Sequence, residues 1–200
     1  TSDGAVNLTG GGSAGISTAG DITTTGDVVN FNSATTMDGS IAVNTGAGAG
    51  DINFASTLDL FFHSLTLTAG TGSVAFTGAV GDAPGNAIGT ITINSAFNVT
   101  AASINAASFQ QLAGTGATTF NGAQTYSALA GLNVVTSGTI ALNNTVTTIP
   151  PTSGNSGTVT LNGAAGLTIG ALGDITSDGA VNLTGGGSAG ISTAGDITTT

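Results

Sequence analysis

The sequence predicts an all-β chain wound as a right-handed parallel β-solenoid, with about 22 residues per coil and eight coils in each 175-residue repeat. Three observations predict it. Residues 1–25, TSDGAVNLTGGGSAGISTAGDITTT, return without a mismatch as residues 176–200. A shorter phrase, glycine followed by alternating apolar positions, recurs along the whole chain. Helix formers are scarce, because Lys and Arg are absent and all ten acidic residues are Asp, so helix propensity is poor nearly everywhere.

The phrase reads GAVNL at Gly4, GDVVNF at Gly26, GDINF at Gly50, GSVAF at Gly72, GTITI at Gly89, GATTF at Gly116, GTIAL at Gly138 and GTVTL at Gly157, and returns as GAVNL at Gly179. The eight steps between these glycines are uneven but close on the long repeat, since Gly179 is the duplicate of Gly4. A coil of this kind holds roughly three short strands and their turns, each strand pairing in parallel with its counterpart one coil on, at about 4.8 Å. Alternation then places Val6/Leu8, Val28/Phe31, Ile52/Phe54, Val74/Phe76, Ile91/Ile93, Thr118/Phe120, Ile140/Leu142 and Val159/Leu161 in one inward column. The extra residue of GDVVNF reads as a β-bulge. The other two sides are expected from Ile16, Ile22, Ile41/Val43, Leu65/Leu67, Leu132/Val134, Ile169 and Ile175. Each ladder glycine supplies a turn, and the Asp, Thr or Ser after it bonds nearby backbone at the corner. The short step from Gly72 to Ile88 and the Pro150-Pro151 corner fit this register least well.

The organisation expected is one full tandem repeat over residues 1–175, with residues 176–200 opening the next identical repeat. A pair of matching caps is the rival. A cap breaks the pattern with charged or polar residues that blunt the open edge, whereas Gly179 falls one ordinary step after Gly157.

Composition excludes several partners. With no Lys or Arg and a formal charge of −10, the chain offers nothing to phosphate backbones or anionic lipid surfaces. Cysteine is absent, which removes disulfides and thiolate metal sites. No apolar run is long enough for a membrane-spanning helix. Cations and neutral polymers such as glycans stay compatible.

The stretches LTLTAGTGSVAFTGAVG, ITINSAFNVTAASINAAS, GTGATTFNGA, IALNNTVTT and GDITTTGDVVNFNSATT resemble the repeats of very large bacterial surface proteins, the β-strand-repeat and filamentous-haemagglutinin-like families. The resemblance covers essentially the whole chain. It implies a right-handed β-helix, export from a Gram-negative-type bacterium, and a role in adhesion, biofilm matrix or surface filaments. It implies no catalytic residues and no cofactor.

The residues themselves point the same way. Asp21, Asp27, Asp51 and Asp174 follow corner glycines, but Ala5, Ser73, Thr90, Ala117, Thr139 and Thr158 hold the equivalent places. They read as corner caps rather than a Ca2+ array, which needs about six to eight oxygens per ion. His63, four positions after Asp59, lacks the company of a metal or Ser-His-Asp site. The paired cleft carboxylates of a glycosidase are not evident. Thr-x-Thr pieces fall at scattered phases, unlike an ice-binding face. Phe61 and Phe62, adjacent on a strand, are expected to point to opposite faces, one of them outward. Phe61, Phe62, His63 and Tyr126 are therefore the candidates for lateral contact. The expected function is structural and non-enzymatic: identical repeats stacked head to tail in a long acidic fibre at or outside a bacterial cell. Neighbouring fibres, or host and matrix glycans, are its candidate partners. An adhesin module that reads a glycan or protein with its lateral face is the alternative.

Overall fold

The computed structural model describes residues 1–12, 15–81, 89–148 and 157–200. It is a right-handed parallel β-solenoid with no α-helix among the described residues. Ile88 and the Pro150-Pro151 corner lie outside the described residues.

Three sides make each coil. Side one stacks nine strands: Val6–Leu8, Val29–Phe31, Ile52–Phe54, Val74–Phe76, Val99–Ala101, Thr118–Phe120, Thr139–Leu142, Gly166–Ile169 and Ile191–Thr193. Side two carries Ile16–Thr18, Thr35–Met37 and Leu58–Asp59, then a bridge at Val80, then Ile104–Ala106, Gln124–Tyr126, Val146–Thr148, Ile175–Ser177 and Ile197–Thr199. Side three stacks eight strands, Ile22–Thr23, Ile41–Asn44, Leu65–Thr68, Thr90–Ser95, Ser108–Gln111, Leu132–Thr136, Val159–Gly163 and Val181–Gly185. Every pairing among these strands is parallel.

Alternation sorts the side chains as expected. Val29, Phe31, Ile52, Phe54, Val74 and Phe76 are buried, while Asn30, Asn53 and Ala75 between them face outward. Phe31, Phe54 and Phe76 stack with centroids 4.5 and 5.3 Å apart. The same position in the fifth coil is Ala101. There Phe109 enters from side three and meets Phe120 edge-on at 5.5 Å, so a large residue on one side accompanies a small one on another.

Three features of the expected register are corrected. Val29, not Val28, pairs with both Val6 and Ile52 without a shift, so the extra residue of GDVVNF sits in the corner and makes no bulge. The described register shift lies between Ile93 and Ser95 instead. The fifth and eighth rungs of the side-one column are Val99/Ala101 and Leu167/Ile169; Ile91/Ile93 and Val159/Leu161 belong to side three. The cause is physical. Strands on sides one and three both need a corner glycine followed by alternating apolar residues, and the Gly-led phrase therefore marks both. The uneven steps from Gly72 to Gly89, Gly89 to Gly116 and Gly138 to Gly157 are the trace of that exchange.

The corrected register also refines the coil count. From Val6 up to Val181 the described residues hold 22 strands and the Val80 bridge, or 23 sides. Three sides make a coil, so one repeat winds seven and two-thirds coils, close to the eight expected. Offsets between paired partners run from 18 (Ile91 to Phe109) to 29 (Val146 to Ile175). The strands stay aligned while the corners absorb the difference.

Corner glycines are enforced by close approach. A Cβ on Gly72 would collide with the backbone of Gly50, and one on Gly138 with that of Gly116. The rungs are further tied on the outside, where Asn30 Nδ2 donates to Asn7 Oδ1 at 2.8 Å and Asn53 Nδ2 to Asn30 Oδ1 at 2.9 Å.

The register is open to a direct check. With no native cysteine, Ala141→Cys with Thr168→Cys should cross-link readily, because those residues are direct neighbours on side one. Ala141→Cys with Thr160→Cys should not. Efficient linking of the second pair alone would restore the unbroken glycine ladder and refute the register described.

Candidate functional site

The lateral candidates separate once folded. Tyr126 is fully buried on side two and cannot make a lateral contact. Its strand turns the ring inward, and its hydroxyl donates to Gln124 Oε1 at 3.0 Å. Gln124 Nε2 in turn donates to the carbonyls of Ala102 and Gly122 at 2.8 and 2.6 Å. Next to this rung Thr118 Oγ1 donates to the buried Gln111 Oε1 at 2.9 Å. This buried polar layer escaped the sequence reading. Its signal was alternation itself: Gln124 and Tyr126 share a strand face, two positions apart.

Phe61 and Phe62 form no strand, so neither packs inside. They are the two central residues of a turn closed by the His63 N–H donating to the Leu60 carbonyl at 2.8 Å. Their φ angles are 41° and 69°, the geometry of a type I′ turn, which Asn-Gly normally fills. Holding two phenylalanines there costs about 1–2 kcal/mol each. The Asp59 carboxylate braces the turn by accepting the Phe61 N–H at 3.0 Å. Both rings are presented to solvent, at 54% and 69% exposure, and they touch edge to face with centroids 5.8 Å apart. His63 closes the turn half-buried, and its carbonyl lies so close to Gly89 that no Cβ would fit there.

Beside this spur on side two is a shallow hollow of about 300 Å3, whose polar lining includes Thr36, Thr57 and Asp59. Thr36 and Asp59 are direct neighbours in the sheet. The spur and the hollow share Asp59. The hollow offers hydroxyls and one carboxylate, and that carboxylate also holds the turn that presents the aromatic pair.

Three of the four corner carboxylates are occupied with the backbone. Asp21, Asp51 and Asp174 each accept an N–H from the next coil, from Ala42 at 2.8 Å, Ser73 at 2.7 Å and Asp196 at 2.9 Å. Asp27 uses its carbonyl, which accepts the Thr24 hydroxyl at 2.7 Å. Among the described residues no three His, Cys, Asp or Glu side chains gather where a metal would sit. Threonines do align in one place: Thr125, Thr147, Thr176 and Thr198 are stacked neighbours on side two. They form a single column, without the second one that paired Thr-x-Thr faces need.

Comparison with family models, curated proteins and solved structures finds no match.

Two measurements test this geometry. Replacing Phe61 by Asn and Phe62 by Gly should raise stability by a net of about 1–2 kcal/mol in denaturant unfolding, because the left-handed strain removed at two positions exceeds the extra backbone entropy that glycine loses and the strain that asparagine keeps. A loss would mean that the rings are needed for packing. Burial also pushes the Tyr126 hydroxyl well above its ordinary value of 10.0. The folded state thus keeps the proton while the unfolded chain gives it up, so stability is full below pH about 10 and falls as pH rises beyond it. Tyr126→Phe should abolish that alkaline slope, and an unchanged slope would contradict the burial. The chain has a single tyrosine, so its titration is read without overlap.

Proposed function

We propose that the chain is a segment of a non-enzymatic structural protein, whose tandem 175-residue repeats stack head to tail into a stiff acidic fibre. One observation carries the reading. The second copy of the duplicated segment continues the stack in register, with Val181 on Val159, Ile191 on Leu167 and Ile197 on Ile175. A strand edge left unpaired is a liability, and an identical neighbour satisfies it. Stability then accumulates coil by coil. The resemblance to β-strand-repeat and filamentous-haemagglutinin-like proteins supports a fibre at or outside the surface of a Gram-negative-type bacterium. Without Lys or Arg, the fibre also lacks every cleavage site of trypsin-like proteases. A charge of about −8 per repeat, from eight Asp, keeps parallel fibres apart.

A second reading rests on the Phe61–Phe62 spur and its hollow. Strained, solvent-facing aromatics on a turn braced by Asp59, which also lines a hollow with Thr36, favour an adhesin function in which the lateral face recognises a glycan. The two readings are compatible, because a fibre presents its side face many times.

Electron microscopy of chains with one, two and three tandem copies tests the fibre. Rods should lengthen by about 37 Å per copy, with an axial spacing near 4.8 Å. Compact particles whose length does not grow with copy number would refute it.

A further inference from the structure

The two copies of the duplicated segment do not stand on the same sides of the solenoid. Val6–Leu8 lies on side one, and its counterpart Val181–Gly185 on side three. Ile16–Thr18 lies on side two, and Ile191–Thr193 on side one. Ile22–Thr23 lies on side three, and Ile197–Thr199 on side two. Each strand of the second copy has moved back by one side. The cause is the count of 23 sides per repeat, one fewer than eight complete coils hold.

Local structure survives the move. Thr25 Oγ1 donates to Asp3 Oδ1 at 3.4 Å, and Thr200 Oγ1 to Asp178 Oδ1 at 3.3 Å. Gly12 and Gly187 share a φ of 64°, and Gly15 and Gly190 have 64° and 58°. Asn7 and Asn182 both face solvent between partly buried apolar neighbours. The residues thus specify strand, corner and inward face, while the side they occupy is inherited from the coil beneath.

Both halves of a junction between copies are already present. The second copy sits on Val159, Leu167 and Ile175. The first copy carries the next coil on its far edge: Val6 pairs with Val29, Ile16 with Thr35 and Ile22 with Val43. Joining the two needs no pairing that the structure does not contain.

We infer that the partner of this solenoid end is a second copy of the repeat seated one side round, so that successive copies are related by a one-third-turn screw. The inference rests on the tandem-fibre reading. Each copy advances about 37 Å and turns by about 120°, from seven and two-thirds coils at about 4.8 Å each. Three copies, with 23 coils in all, bring the sequence back to the same side after about 110 Å. Every edge of the fibre is therefore built from all three sequence sides in turn. The Phe61–Phe62 spur faces three directions, once per copy, and no edge carries it more often than every third copy.

Cryo-electron microscopy of chains with at least three copies tests this, with gold label on Phe62→Cys, unique within each repeat of a protein that lacks cysteine. The expected result is a rod whose labels wind round the axis by a third of a turn per copy. Rods with labels in a single line would overturn the screw and leave the fibre reading standing. Separate compact particles would overturn both.

Discussion

The structure depends on one constraint: a strand here is satisfied only by the coil above and the coil below. The strands are short, from the two-residue Ile22–Thr23 to the six-residue Thr90–Ser95, and most bury one or two large side chains. No coil alone repays the entropy of ordering its backbone. Parallel pairing supplies hydrogen-bond partners along three sides at once, and the inward side chains then stack in columns. The Phe31–Phe54–Phe76 stack is one outcome. The exchange of bulk between Ala101 and Phe109 is another, since a fixed coil spacing leaves little freedom to adjust volume along the axis.

Corners carry what strands cannot. Offsets between paired partners span 18 to 29, yet the ladders stay aligned because the surplus is placed between sides. Glycine allows the close approach of successive corners, and Asp21, Asp51 and Asp174 lend an oxygen to the backbone of the next coil. These acidic residues thus have a structural use that explains their place after corner glycines. The exception to economy is the Phe61–Phe62 turn, where bulky side chains occupy left-handed backbone and face water. Among the described residues the two rings touch each other and otherwise face water, an arrangement that the proposed recognition of a ligand would use.

Much of this was legible in the residues. Alternation in VNL, INF, VAF and LTLT marked inward and outward positions, because a strand has a period of two whatever surrounds it. The phrase Gly-x-apolar-x-apolar marked strand starts for the same local reason. The aromatic candidates misled. Tyr126 resembled a surface aromatic, yet its strand face is shared with the inward Gln124, which receives its hydroxyl. Phe61 and Phe62 resembled strand residues, yet Asp59 and the Leu60–His63 bond close them into a turn.

The sequence by itself determined the fold class, the approximate length of a coil and the continuation of the pattern through the duplicate. Each is a consequence of local periodicity and of exact repetition. Only the tertiary structure decided which side each strand occupies, and with it the count of 23 sides per repeat. The reason is that sides one and three ask the same of a strand, an inward apolar pair and a permissive corner, and the duplicate takes the side that the coil beneath presents. Local residues cannot distinguish equivalent sides, so the choice is made by pairing with the coil below.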